Sequence, residues 1–339
     1  MVENCSECNN CVQECKFLQK YGNPRQVAEK LKKNPLIAYE CSVCRLCEEI
    51  CNQGVKFTDL ILIKRVEAVE NRIIPEKKFR LLLNLEKYLT SNFLKTTKIP
   101  KNAKKLFYVG CSFSGKSPDF IMKTYQNLEK EVGEPVGITL ECCYAVSYLI
   151  GYHKRFKKKT EEQIEFFKKS GIEEIITVCP GCSYLLRKFF PFKVSLIYQY
   201  LKIEKKHNFD FTKVHIHDPC SLREDNFTHN KIREIVKNLG LEVISMEHER
   251  EKTFCCGEGG GTFLIDKAYS DAWKKKRFDE TEYPLVVYCY GCKTSFYKKE
   301  NVYHILDLIF NNSKFPHMLT PRFWINRFLL KRKINRRVV

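Results

Sequence analysis

The stretch TFCCGEGGGTF, residues 253–263, sets Cys255 beside Cys256 and follows them with a run of glycines. Adjacent cysteines make a strained, rarely used disulfide, and as ordinary core residues neither needs the other. The pair raises the question of one site served by both thiols. Reading outward, Cys220 lies upstream in HDPC, and Cys289 and Cys292 lie downstream in CYGC. The same order occurs once before, as Cys111, then Cys142 with Cys143, then Cys179 and Cys182 in CPGC. The intervening stretches are 30 and 35 residues in the first half and 34 and 32 in the second. Even the closing segments align, CPGCSYLLRK with CYGCKTSFYKK. Such self-similarity predicts an internal duplication with pseudo-two-fold symmetry.

From about residue 104 the chain alternates short apolar runs (KLFYVG, EIITVC, KVHIHD, LEVIS, PLVVYC) with helix-like stretches, the pattern of an α/β region. Ahead of it the character differs. CSECNNCVQEC (residues 5–15) and CSVCRLCEEIC (41–51) both read C-x2-C-x2-C-x3-C. That spacing suits cubane [4Fe–4S] clusters, in which one run gives three thiolates and the other run gives the fourth. The expected sets are Cys5, Cys8, Cys11 and Cys51 for one cluster, and Cys41, Cys44, Cys47 and Cys15 for the other. Zinc sites more often pair two CxxC units. Lys16 and Asn52 stand where a proline usually follows the fourth cysteine. Between the runs, PRQVAEKLKK places Pro24 at a first helical position. Residues 56–103 hold no cysteine, and TDLILIKRVEAVE and EKKFRLLLNLEKYL carry helical apolar spacing.

The expected fold is therefore α+β and multidomain. A helical ferredoxin-like two-cluster domain spans 1–55 and a helical linker 56–103. A duplicated α/β cysteine-rich domain follows, at 104–205 and 206–311, and a basic amphipathic tail occupies 312–339. Eight cysteines in the N-terminal runs and five in each half account for all 18. Packing cysteines would not sort so cleanly.

With these motifs in hand, the chain resembles the CCG-domain iron–sulfur oxidoreductases. These include the D-type subunit of heterodisulfide reductases and the iron–sulfur subunits of glycolate, lactate and anaerobic glycerol-3-phosphate dehydrogenases. HDPC before Cys220 and CCGEGGGTF after it carry the likeness. The resemblance implies a noncubane [4Fe–4S] cluster on Cys220, Cys255, Cys256, Cys289 and Cys292, with Gly257 and Gly259 letting backbone approach it. A second such cluster, or zinc, is implied on Cys111, Cys142, Cys143, Cys179 and Cys182, where Tyr144 replaces the family's glycine and would narrow the substrate pocket. The implied activity passes single electrons through the cubane clusters to the noncubane one, which reduces a disulfide such as that of coenzymes M and B. The alternative is a relay from a flavin-dependent 2-hydroxy acid or glycerol-3-phosphate dehydrogenase toward quinone. No flavin or NAD signature is present, so a membrane cytochrome, hydrogenase or flavoprotein partner is expected.

Other signals carry less. GCSFSGKS (110–117) matches a P-loop and follows a strand-like run. Yet Pro118 sits where the helix should run, and Gly110 and Cys111 are already explained by the repeat. His217 and Asp218, just before Cys220, read as a proton donor or neighbour of the cluster, or as satisfied buried groups. His153 and Arg223 read as surface residues or contacts for an anionic substrate.

The formal charge of +19 is concentrated at the end: after Asp307 no acidic residue occurs and eight basic ones do. An acidic partner or anionic membrane follows from it; with no recognised motif, nucleic acid is not expected. The N-terminus lacks a secretory signal, and no apolar run is long enough to span a bilayer. A cytoplasmic location is expected, with peripheral contact at the inner face of the membrane. In TPRFWINRFLLKRKINRRVV, Thr320 caps, Pro321 starts a helix, and Trp324, Ile325, Phe328 and Leu329 form one apolar side that would dock there.

Overall fold

The computed structural model describes residues 2–203, 208–311 and 317–336. The expected boundary between 205 and 206 and the tail residues Lys314 and Arg337 lie outside them. Two sheets form the body. The first contains β1 (Thr97–Lys98), β2 (Lys105–Tyr108), β3 (Val136–Thr139), β4 (Glu174–Thr177) and β5 (Lys193–Leu196), in the order β1-β3-β2-β4-β5. The second contains β6 (Lys213–His217), β7 (Glu242–Val243), β8 (Leu285–Val287) and β9 (Val302–His304), in the order β7-β6-β8-β9. Strands β2 to β5 are mutually parallel, as are β6 to β9; only the edge strand β1 is antiparallel. Without β1 the two sheets have one topology, which is the duplication in three dimensions.

The strands are short and covered on both faces, so their residues read as continuous apolar runs rather than alternating ones. All four residues of β3 and of β4 are buried. One core joins the halves: Phe107, Val109 and Ile176 of the first pack with Val214, Ile216 and Val286 of the second. In each half the first cysteine follows the central strand, Cys111 after β2 and Cys220 after β6. The CxxC units follow β4 and β8. All therefore gather at the carboxyl ends of parallel strands, beside the point where strand order reverses, the usual binding crevice of such sheets.

Ahead of the sheets, short helices carry the first two cysteine runs. The helix Pro24–Lys33 begins with a capping box, Asn23 and Gln26 each accepting the other's backbone N–H at 3.0 Å. Two longer helices follow, α1 (Phe57–Glu70) and α2 (Glu76–Leu89). They are no spacer, because Arg65 of α1 lies fully buried at the junction of the N-terminal region with both sheets.

The C-terminal helix, α3 (Pro321–Arg336), departs from the expectation of a separate docking element. Phe323, Arg327, Leu330 and Ile334 are buried in the body. Leu330 and Ile334 belong to the shared core. The buried stripe lies a step around the helix from Trp324, Ile325, Phe328 and Leu329, and it includes an arginine, which an apolar-side reading passes over. The P-loop match is likewise structural. Lys116 is buried in an ion pair with Asp307 of the other half, and the Phe323 ring occupies the space beside Gly115.

Candidate metal centres

The two N-terminal runs fold alike. In each, the residue before the second cysteine and the one after it take left-handed backbone: Glu7 and Asn9 in the first, Val43 and Arg45 in the second. For β-branched Val43 this costs about 1–2 kcal/mol, so the turn is imposed by its surroundings. The turns curl backbone around the thiols, and the Val43 N–H donates to Cys41 Sγ at 3.4 Å. Cys11 has Cys5, Cys51 and Cys8 as thiol neighbours, and burial with their charges pushes its thiol up to about 11. Around Cys47 stand Cys15, Cys41 and Cys44. The structure thus brings the thiols together in two crossed groups of four, each taking its fourth member from the other run.

The duplicated halves show one thiol network twice. In the first, Cys111 bonds to Cys142, and Cys182 donates to Cys143 at 3.2 Å. In the second, the thiols of Cys220 and Cys255 are hydrogen-bonded, as are those of Cys256 and Cys292. The vicinal pairs are closed by the same contact: the Tyr144 N–H donates to Cys142 Sγ at 3.4 Å, and the Gly257 N–H to Cys255 Sγ at 3.3 Å. Tyr144 takes the left-handed φ of 53° for this, and Gly257 one of 87°. Hydrogen bonds from Cys142 and Cys182 hold the Cys143 thiol down at about 6, and the corresponding bonds lower Cys256. Each vicinal pair therefore serves one site, joining its two thiols to three others in a five-thiol group.

The groups form a sequence in space. The thiol of Cys44, from the second N-terminal run, is hydrogen-bonded to Cys255. The first half has no such contact with the N-terminal runs among the described residues. Its Cys111, Cys142 and Cys143 instead line a cavity of about 490 Å³ between the halves, walled on the other side by Glu258, Gly259, Gly260, Gly261 and Gly291. None of Cys220, Cys255, Cys256, Cys289 and Cys292 is among its lining residues.

Three buried arginines hold these groups in place, and sequence reading passes over two of them. Arg65 donates to Ala38 O (2.9 Å), Cys41 O (2.5 Å), Leu149 O (2.7 Å) and Gly260 O (3.1 Å), tying the N-terminal region to both halves. Arg223 donates to Cys44 O (2.7 Å), Thr253 O (2.7 Å) and Glu251 O. Arg327 donates to Leu89 O (2.8 Å), Leu140 O (2.7 Å) and Ser114. Among the described residues none of the three pairs with a carboxylate. Thiols come first among the groups that oppose the loss of charge on burial, Cys41 for Arg65 and Cys111 with Cys142 for Arg327, which Glu141 also favours. Burying a cation without a counter-charge costs several kcal/mol. Soft thiol donors in sets of four and five, beside buried unpaired cations, fit anionic iron–sulfur clusters.

Several expected site residues sit differently. Gly257 is needed because a Cβ there would lie 2.6 Å from Ser270 O, and Gly259 because a Cβ would lie 2.4 Å from Ser42 O. The run after the second vicinal pair packs closely against Ser270 and against Ser42 of the N-terminal region. Tyr144 is buried and absent from the cavity wall, so it does not narrow the pocket. His217 is buried against the edge of Phe296 with both ring nitrogens unbonded, and burial pushes its pKa down to about 3. Asp218 is committed to Arg233 (3.1 and 2.9 Å), Tyr288 (2.6 Å) and the Arg250 N–H (2.7 Å). Arg223 is structural, and His153 stacks on Tyr148 and bonds its carbonyl, so neither is free to meet a substrate. Glu258, two residues after Cys256, carries no signal in the sequence pattern; it lines the cavity, and burial beside Cys256 raises its carboxyl to about 7.

A pair of cysteine-rich sheets beside two four-thiol groups defines a protein built to hold iron–sulfur clusters. Residues 105–187 and 214–297 each match the cysteine-rich CCG domain. It is similar to the EtfAB:quinone oxidoreductase of Syntrophomonas wolfei, 22% identical over 72% of this chain and 39% of that one. It is 25% identical to one subunit of the fumarate reductase (CoM/CoB) of Methanothermobacter marburgensis, over 81% and 63%. A subunit of the dihydromethanophenazine:CoB–CoM heterodisulfide reductase of Methanosarcina acetivorans is 24% identical, over 70% and 65%. The chain thus spans between about two fifths and two thirds of these relatives.

Proposed function

We propose that this chain is an electron-transferring subunit of heterodisulfide reductase type, in which a two-electron substrate meets the cavity between the two cysteine-rich sites. The observation that carries the reading is the order of the thiol groups: two groups of four, contact from Cys44 to Cys255, then the second five-thiol site, the cavity and the first five-thiol site. Cys5, Cys8, Cys11 and Cys51 would hold one cubane cluster, and Cys41, Cys44, Cys47 and Cys15 the other, in a ferredoxin-like arrangement. Cys220, Cys255, Cys256, Cys289 and Cys292 would hold a noncubane cluster. Their repeated network supports the same cluster type, rather than zinc, on Cys111, Cys142, Cys143, Cys179 and Cys182. Clusters at these sites supply one-electron transfer and, where iron is open, a place for a substrate sulfur.

The residues themselves do the rest. Arg65, Arg223 and Arg327 set a positive field around the thiol groups. His217, neutral beside Cys256, offers an N–H donor rather than a proton store. Because Cys111, Cys142 and Cys143 face the cavity and none of Cys220, Cys255, Cys256, Cys289 and Cys292 is among its lining residues, the first site meets the substrate there and the second passes electrons toward it. A second reading, relay between a flavoprotein dehydrogenase and quinone, is favoured by the apolar wall of the cavity. Partners in either case are other redox subunits: a membrane cytochrome, hydrogenase or flavoprotein.

No helix among the described residues is long and apolar enough to cross a membrane. Ile325 and Leu329 on the outer side of α3 are 56% and 41% exposed, which leaves that side for peripheral contact with the inner face of the membrane from the cytoplasm. The test is stopped-flow oxidation of the dithionite-reduced protein by a disulfide and by a quinone. Rapid two-electron reoxidation, slowed by Cys44→Ser, is expected. Reoxidation that ignores Cys44→Ser would sink the proposed order.

A further inference from the structure

The cavity between the halves is chemically one-sided. Its wall is built from Leu81, Leu82 and Leu85 of α2, Val146 and Leu149 after the first vicinal pair, and Phe263 after the second. No lysine or arginine is among its described lining residues. The charged groups that do reach it are both acids, Glu86 and Glu258. Glu86 is buried and committed, accepting the Ser147 N–H at 3.0 Å and pairing with Arg155 at 3.2 Å. Glu258 has Lys274 at 3.7 Å, but Lys274 is not on the wall. His317 accepts the Leu319 N–H on Nδ1 at 3.2 Å, which leaves only its other nitrogen for a ligand. The mouth is apolar too, since Leu81, Tyr297 and Leu319 line it while 48%, 64% and 56% exposed.

A sulfonate, phosphate or carboxylate entering this space would lose its water, find no lysine or arginine among the described lining residues and approach two acids; leaving a buried anion unpaired is costly. A neutral ring or alkyl chain gains from the same wall by losing apolar surface to it. We propose that the cavity takes an uncharged, apolar redox molecule, of the quinone or dialkyl-disulfide kind, with its reactive end toward Cys142 and Cys143, and excludes disulfides with anionic groups. This rests on the reading of the cavity as the substrate site.

Binding, not turnover, tests it. Equilibrium dialysis of the anaerobically purified, cluster-loaded protein would use menadione, dibutyl disulfide and glutathione disulfide as probes. Menadione or dibutyl disulfide should be retained and glutathione disulfide should not; whichever neutral probe binds more tightly identifies the source. Leu85→Lys, which puts a cation in the wall, and Leu81→Lys, which puts one at the exposed mouth, should each weaken the neutral probe by about tenfold or more with iron content unchanged. Glutathione disulfide bound as tightly as the neutral probes would overturn the proposal, as would neutral binding untouched by both substitutions. Neutral binding in a protein whose reduced form no acceptor reoxidises would instead overturn the proposed function and leave the cavity assignment standing.

Discussion

Arg65 is where the fold concentrates its dependence on one side chain. It is fully buried, makes its bonds to four carbonyls in three parts of the chain, and has no carboxylate partner among the described residues. Arg65→Met leaves those carbonyls buried and unbonded, and should cost roughly 3–5 kcal/mol in urea unfolding of the loaded protein. A loss below about 1 kcal/mol would mean that water replaces the clamp. Glu258 offers a different handle. Burial beside Cys256 raises its carboxyl to about 7, so folding favours its protonated form. That contribution is complete below the ordinary carboxylate range and disappears as pH rises through about 7. Glu258→Gln, neutral throughout, should flatten the fall in stability between pH 5 and 7 and gain on the order of 2 kcal/mol at pH 8, read from urea midpoints across that range.

At the scale of elements, α3 and the loop after Cys256 make opposite points about sequence periodicity. One side of α3 is packed and the other exposed, so neighbours in sequence should respond differently. Leu330→Ala should cost about 2–4 kcal/mol as a core truncation, whereas Leu329→Ala should stay within about 0.5 kcal/mol. Removing residues 321–339 should do more than remove a surface. It takes Arg327 from Leu140 O and opens the seat of Phe323, so iron should be lost chiefly from the first cysteine-rich site, as seen in the iron-to-protein ratio and the paramagnetic spectrum. An intact spectrum after truncation would contradict this. In the glycine run, Gly257→Ala forces a Cβ against Ser270 O in a left-handed backbone.

For the whole molecule, the count of buried cations against thiol groups is the governing quantity. Four clusters would give about 16 irons per chain, and zinc at the first site about 12, measured with acid-labile sulfide after anaerobic purification. Chelation should then lower the thermal midpoint well beyond the loss of four ligand sets alone, because Arg65 and Arg223 would keep their charge without a carboxylate partner among the described residues. A midpoint unchanged by chelation would show that the arginines are neutralised in another way.

Much of this was legible in the order of residues. Cysteine spacing is a local property, and a short loop of fixed length keeps its thiols near one another. That is why the two runs of four cysteines, the repeated order of five and the strand alternation around them stand out along the chain. The apolar runs of β2 and β4 likewise announce strands covered on both sides, whereas the short VGIT run of β3 does not stand out. What the order of residues could not carry was partnership between distant segments. Arg65 and Arg327 look like surface charges because nothing local shows that they donate to carbonyls 24 to 238 positions away. Nothing near Gly259 in the chain shows that Ser42 lies against it. Which five-thiol site touches Cys44 and which faces the cavity depends on how two nearly identical halves pack against one N-terminal region. Two copies of one motif are equivalent along the chain, and only asymmetric packing distinguishes them.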